Sequence, residues 1–328
     1  MEILIKPTNQ TILASAGSTL LDAFLENQIP ISYSCLSGRC GTCRCKVIEG
    51  SVSGPSAAEG RLAQHGQYVL ACQSKVDSDS VIEIPEVDEI ITHPTKTLKA
   101  EIVGYDELAH DVRRLRLKTT KTYDYSPGQF SNLTFWREDG TRSYSMAGVV
   151  EDDILEFHIR IVPNGRVTSK LDSEIKVGNA IKLNGPLGAS YLRRKNSDPM
   201  LCVATGTGLA PILSIIRGAL ESGMSNDIHL IYGARTEIDL YGIDVLDALA
   251  NKYDNFRYTI TLDHAPKASA YFQGLVTEAI AEYFPDLKNW RIYLAGAPAM
   301  VEAASLACTK RGADIEQIYA DAFYPSGV

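Results

Sequence analysis

The sequence predicts a multidomain chain in three consecutive parts of different class: an α+β domain over 1–90, an all-β barrel over 97–196 and an α/β domain with a parallel sheet over 197–328. Three observations predict it. The first part mixes short alternating runs with one helical stretch and holds most of the cysteines. The middle part is strand after short strand, punctuated by Gly and Pro. From about residue 198 apolar strands alternate with helical stretches, the rhythm of a parallel sheet covered on both faces.

The bulk properties narrow the classes further. A chain of 328 residues with 45% apolar and 22% charged residues has enough material for several cores. The net charge of −8, without a long run of one sign, argues against a nucleic-acid partner. The start, "MEILIKPTNQTILASAG", lacks the basic and continuous apolar regions of a signal peptide. No apolar run approaches the roughly 18 residues of a membrane span. A cytoplasmic protein without a membrane partner is the expectation. Seven cysteines crowded toward one end do not resemble a secreted disulfide framework.

In the first part, "EILIKP" and "QTILASA" form an expected hairpin, and a helix follows with Leu20, Leu21, Phe24 and Leu25 on one face. After a cysteine loop come the strands "CKVIEG", "YVLACQS" and "SVIEIPE". "PEVDEIITHPTKT", with Pro85 and Pro94, reads as a linker. The barrel strands are "LKAEIVG", "VRRLRLK", "GQFSNLTF", "ILEFHIRIV" and "AIKLNGPLG". "MLCVAT", "IHLIYGA", "RYTITLD" and "RIYLAGA" follow, with helices such as "APILSIIRGALESG" and "PAMVEAASLACTKRG", and a last strand "IYADAFYP".

The loop "CLSGRCGTCRC" places Cys35, Cys40 and Cys43 at C-x4-C-x2-C, with Cys72 downstream. This is the spacing of a plant-type [2Fe–2S] cluster with four thiolate ligands. Gly38 and Gly41 let the backbone turn tightly, so that N–H groups can point at sulfur. Cys45 begins an alternating strand and is expected in the core instead. Structural zinc is the competing reading. It prefers paired short spacings or histidines, whereas this stretch has one C-x2-C and no nearby His.

In the barrel, "GTRSYSMAG" offers Arg142 for a phosphate, Tyr144 as a flat aromatic face and Ser145 as a donor to a ring nitrogen. Downstream, "NGRVTSKL" has Gly165 and Thr168 opening a helix whose free N–H groups suit a pyrophosphate. His158 stands in an alternating strand and on its own reads as structural. "VRRLRL" reads as a solvated strand face. In the third part, Gly206 and Gly208 sit between a strand and a helix with Pro211 in its first turn, where a phosphate can approach the backbone. A second glycine turn, "LAGAPAM", follows a later strand, and both turns fall at strand C-terminal ends.

Cluster loop, R-x-Y-S barrel and G-T-G-x-A-P sheet in this order resemble the reductases of bacterial ring-hydroxylating oxygenases. These join a plant-type ferredoxin domain to a ferredoxin–NADP-reductase-like flavoprotein. The likeness covers essentially the whole chain and is nearest to naphthalene-type systems, carried by "ISYSCLSGRCGTCRC", "YVLACQS", "DVRRLRL", "RSYSMAG", "EFHIR", "GTGLAP", "SIIRGALESGM", "GAPAMVEA" and "IYADAFYP". It implies a β-grasp cluster domain, a Greek-key flavin barrel and a nicotinamide domain. It implies FAD, with Arg142 at its phosphates, Tyr144 and Ser145 at its ring, and Gly165, Arg166, Val167 and Thr168 at its pyrophosphate. His158 and Arg160 of "EFHIR" join the cofactor-binding set. NAD(P)H is assigned Gly206, Thr207 and Gly208, together with Gly296, Ala297, Pro298 and Arg235. Phe323 is the terminal aromatic expected to cover the flavin face; a core aromatic on a last strand is the other reading. Tyr144, Ser145 and Phe323 are the candidate catalytic positions, touching the reacting ring. Where the family often has Cys before its second glycine turn, this chain has Ala295.

The implied activity is that of an NAD(P)H:ferredoxin oxidoreductase. Nicotinamide delivers two electrons as hydride and a [2Fe–2S] cluster accepts one, so a flavin belongs between them. The expected acceptor is a Rieske-type ferredoxin or the terminal oxygenase itself. Arg235 is a cation at the site of a 2′-phosphate, but Glu237 and Asp239 follow it, so NADH is expected to be preferred and NADPH tolerated. The hydride step needs no general acid or base, and Asp321 beside Phe323 is the one carboxylate held open for such a role. Other readings stay open: another acceptor, such as a diiron monooxygenase or a deoxysugar dehydratase; a redox-sensing module without turnover; and a zinc-stabilised interaction protein.

Overall fold

The computed structural model describes residues 1–31, 33, 38, 43–54, 68–84, 93–136, 140–195, 197–264 and 269–324. The chain falls into two compact units, Met1–Thr92 and His93–Val328. Most of the expected linker lies outside the described residues, as do Cys35, Cys40 and Gly41.

The first unit starts with a hairpin of β1 (Glu2–Lys6) and β2 (Gln10–Leu13), in which Ile3 faces Ile12. Helix α1 (Leu20–Glu26) is capped by Thr19, whose Oγ1 accepts the Asp22 N–H at 3.1 Å. Then follow β3 (Arg44–Glu49), β4 (Val52–Ser53), β5 (Tyr68–Leu70), β6 (Lys75–Val76) and β7 (Ser80–Glu83). The main sheet has the order β2-β1-β7-β3-β5; β1 and β7 run parallel and the other pairs antiparallel. Leu20, Leu21 and Phe24 of α1 join Ile3, Ile5, Cys45 and Ile82 in one core. Alternation puts Cys45 inside, as expected. Leu25 is a correction: it is 44% exposed. At 100° per residue it lies about 90° from the centre of the stripe formed by Leu20, Leu21 and Phe24, past its edge. The strand expected over "YVLACQS" stops at Leu70, because the N–H groups of Gln73 and Ser74 both return to the Leu70 carbonyl. That turn holds Cys72.

The second unit opens with the barrel strands β8 (Lys96–Ala109), β9 (Val112–Thr119), β10 (Phe130–Thr134), β11 (Thr141–Ser145) and β12 (Leu155–Arg160). One turn of helix, α2 (Leu171–Glu174), precedes β13 (Ala180–Leu187). The antiparallel order is β11-β10-β13-β8-β9-β12. A bridge between Met146 and Phe157 joins the two ends of that order and closes the barrel. Leu115, Leu117, Leu133, Phe157 and Leu183 fill it. The "VRRLRL" face is half-exposed, with Arg114 and Arg116 sharing Asp106.

The sheet of the same unit is built from β14 (Met200–Thr205), α3 (Leu209–Glu221), β15 (Ile228–Ala234), α4 (Ile243–Lys252), β16 (Phe256–Leu262), β17 (Phe272–Gln273), α5 (Val276–Tyr283), β18 (Arg291–Gly296), α6 (Pro298–Thr309) and β19 (Ile318–Ala322). All its pairs are parallel, in the order β17-β16-β15-β14-β18-β19. Met200, Cys202 and Ala204 of β14 face a core with α3 and α4, and Leu201 and Val203 face one with α5 and α6. The chain walks outward from β14 through β15 to β17, then returns to β18 on the other side. A crevice therefore opens at the C-terminal ends of β14 and β18, where the strand order reverses.

Candidate functional site

The two glycine turns meet in that crevice. Gly206–Gly208 form a 3-10 turn leading into α3, with Gly206 at φ +54°. A Cβ on Gly208 would lie 2.1 Å from the Ala295 carbonyl oxygen, so only glycine lets the two turns touch. Gly296 has φ +139°, and Pro298 opens α6 directly after Ala297. Both turns lead into helices at the C-terminal ends of parallel strands, the position whose backbone N–H groups suit a phosphate-bearing ligand. Ala295 is buried in β18 beside Ala204.

The barrel brings R-x-Y-S to the same crevice. On β11, Tyr144 pairs with Ser131 and Ser145 with Phe130 of β10. Tyr144 Oη is sealed from solvent and has no hydrogen-bond partner among the described residues, and its ring meets Phe135 edge-on. A buried hydroxyl without a partner is costly, so this atom marks a place for a ligand's polar group. Arg142 donates to the Thr141 carbonyl at 2.6 Å. Ser145 Oγ donates to Asp321 Oδ2 at 3.1 Å and so ties the flavin-type strand to β19. Burial pushes the Asp321 carboxyl from 3.8 up to about 6, against the opposing effect of the Ser145 hydrogen bond. Phe323, half-buried, donates its N–H to the Gly296 carbonyl at 2.8 Å. The terminal aromatic is therefore pinned to the second glycine turn two residues after the carboxylate that holds Ser145.

The segment after β12 folds back on itself. Thr168 Oγ1 accepts the Val162 N–H at 3.1 Å, and a Cβ on Gly165 would lie 2.7 Å from that Oγ1. The expected helix is a 3-10 turn, Thr168–Lys170, running into α2. Val167 buries its side chain in the barrel core, so only its backbone faces outward, while Arg166 is exposed. Arg160 pairs with Asp111 at 3.1 Å and reaches over Gly206, where a Cβ would lie 3.1 Å from its guanidinium.

His158 is buried and does not open to the crevice directly. Its Nε2 lies 3.0 Å from Glu156 Oε1 and its Nδ1 3.2 Å from Tyr241 Oη. Burial would raise the Glu156 carboxyl, but His158 and the nearby Arg114 and Arg116 outweigh it and hold it below its ordinary value. Tyr241 escaped the sequence reading, since a contact across 83 residues leaves no local pattern. The same holds for the clamp between barrel and α3. Arg217 grips Asp152 with two bonds of 2.8 and 2.7 Å, and Ser214 donates to the Gly148 carbonyl. Arg235 is exposed just past β15; Asp239 accepts the Thr236 N–H at 3.0 Å and Glu237 accepts the Ser269 hydroxyl at 3.3 Å.

In the first unit, Cys43 is buried and Cys72 half-buried. The Cys72 N–H donates to Cys43 Sγ at 3.5 Å, and Gln73 Nε2 donates to Cys72 Sγ at 3.6 Å. Donors aimed at both sulfurs suit thiolates that share negative charge with a metal centre. Gly38, at φ +75°, lies against Gln73, where a Cβ would come within 2.8 Å. Burial pushes the Cys45 thiol far up, which suits a core residue rather than a ligand.

Three family models match successive stretches of the chain. Residues 3–77 match the 2Fe-2S iron-sulfur cluster binding domain, residues 99–191 the oxidoreductase FAD-binding domain and residues 202–306 the oxidoreductase NAD-binding domain. The chain is 50% identical over 329 residues, 100% of each chain, to the ferredoxin–NAD(P)+ reductase component of the naphthalene 1,2-dioxygenase/salicylate 5-hydroxylase systems of Ralstonia sp. It is 49% identical over 330 residues, again 100% of each, to the corresponding component of the Pseudomonas putida naphthalene 1,2-dioxygenase system. The crystal structure of an Amycolatopsis cytochrome P450 reductase superposes with a TM-score of 0.74 at 30% identity, covering 99% of both chains.

Proposed function

The chain belongs to the family of oxygenase-system reductases that join a 2Fe-2S domain to FAD- and NAD-binding oxidoreductase domains, and from that premise we propose how its residues divide the work. It is a ferredoxin–NAD(P)+ reductase that moves electrons from NAD(P)H toward a ferredoxin or oxygenase. The finer reading is a naphthalene-type dioxygenase system with a Rieske-type ferredoxin, or the terminal oxygenase itself, as acceptor. The observation that carries it is full-length identity near one half to two such reductases. No helix among the described residues is long and apolar enough to cross a membrane.

When bound, the flavin supplies the chemistry that no side chain here has, taking two electrons as hydride and releasing them singly to the cluster. The chain's own residues orient and insulate it. Tyr144 offers its ring face, with Oη the buried donor for a polar group of the cofactor. Arg142 and the backbone from Gly165 to Thr168, with Arg160 and Arg166 at the rim, hold its phosphates. Ser145 keeps its hydroxyl hydrogen on Asp321 while that carboxyl is ionised. With Asp321 protonated, its own O–H could donate to Ser145 Oγ, which would leave the Ser145 hydrogen free for a ring nitrogen of the bound cofactor. Phe323 would cover the flavin ring, and Gly206, Thr207, Gly208, Gly296, Ala297 and Pro298 would hold the nicotinamide cofactor. Glu237 and Asp239 beside Arg235 oppose a 2′-phosphate, so NADH is preferred. Cys43 and Cys72, with Cys35 and Cys40, provide the four thiolates of the cluster.

A visible spectrum before and after anaerobic NADH tests this. Flavin and iron–sulfur bands that bleach together are expected; a protein without either band contradicts the reading.

A further inference from the structure

A file of polar groups runs from the barrel to the first glycine turn. Glu156 Oε1 lies 3.0 Å from His158 Nε2, His158 Nδ1 lies 3.2 Å from Tyr241 Oη, and Tyr241 Oη lies 3.3 Å from the Gly206 carbonyl oxygen. The His158 side chain is 3% exposed and Tyr241 4%, with the two rings edge to face at 5.2 Å. Water is therefore excluded from the middle of the file. Its ends belong to different layers: Glu156 and His158 stand on β12, whereas Tyr241 precedes α4 in the sheet domain. Arg160 of β12 covers the same glycine.

We propose that His158 and Tyr241 are positioning residues for the dinucleotide, holding the Gly206–Gly208 turn from the barrel side through a hydrogen bond to the Gly206 carbonyl. This rests on the reading of that turn as the dinucleotide site.

Tyr241 has one hydroxyl hydrogen and donates it to the Gly206 carbonyl. The His158 ring is held through Nε2 on Glu156, packs edge-on against the Tyr241 ring and meets Tyr241 Oη through Nδ1, so it fixes where that hydroxyl sits.

The test uses the full-length holoenzyme. NAD+ affinity is measured by calorimetry, and amide exchange at Thr207 and Gly208 is measured without nucleotide. Tyr241→Phe, which keeps the ring packing, is expected to bind NAD+ about tenfold more weakly than the parent, the consequence of a carbonyl left without its donor. Its amides at the turn should exchange faster than the parent's, and its FAD content should be unchanged. His158→Phe, which keeps a ring but removes the contact to Tyr241 Oη, should change affinity and exchange in the same direction by a smaller factor. Parent-like affinity and exchange in either variant would overturn the inference alone. A parent that does not bind NAD+ would overturn the assignment of the turn itself.

Discussion

Asp321 illustrates how much one contact decides. Its carboxyl, pushed up to about 6 by burial, binds its proton more tightly in the folded chain than in the unfolded one. The stabilisation from that proton is complete below the ordinary value of 3.8 and is lost as pH rises through about 6. Asp321→Asn removes this loss. In denaturant unfolding it should stabilise the protein relative to the parent by up to about 3 kcal/mol above pH 6, with the difference vanishing toward acid. A pH-independent difference would show that the carboxyl does not carry it. At this scale the sequence offers candidates where chemistry is written locally: C-x4-C-x2-C, R-x-Y-S and the glycine turns single out residues by spacing, and the structure brings the two glycine turns together while Cys35 and Cys40 lie outside the described residues. It was silent on Tyr241, Glu156 and Asp152, whose partners lie far away along the chain.

Among the elements, α3 couples the barrel to the sheet. Its first turn follows Gly206–Gly208, its Ser214 holds the Gly148 carbonyl, and its Arg217 grips Asp152. Asp152 also accepts the Val149 N–H at 2.9 Å. Asp152→Ala strands these donors and should lower stability by about 1–3 kcal/mol in urea unfolding. It should also slow flavin reduction by NADH, because the flavin-type strand and the nicotinamide turn lose their fixed spacing. Unchanged stability and reduction would remove the clamp from the account. Period two and strand–helix alternation made the barrel and the sheet legible, since burial on one or both faces leaves that pattern. The limits of short elements were not legible. Leu25 turned outward on a seven-residue helix and the strand before Cys72 ended early, each settled by packing and turn bonds rather than by propensity.

For the whole molecule, the chain divides into a cysteine-bearing unit and a second unit in which barrel and sheet are joined by buried contacts. Three textures in the sequence foretold three classes of domain, but not that the second and third would pack as one body, because Ser145–Asp321 and His158–Tyr241 are contacts between side chains remote in sequence. The matches to the FAD-binding and NAD-binding domains both fall in the second unit, and the match to the 2Fe-2S domain falls in the first. Cys72→Ser is the most direct test. Iron content should fall together with reduction of cytochrome c or a protein acceptor, by about tenfold or more, while NADH-driven ferricyanide reduction through the second unit persists. A Cys72→Ser protein with the parent's iron content and undiminished delivery to protein acceptors would contradict the account.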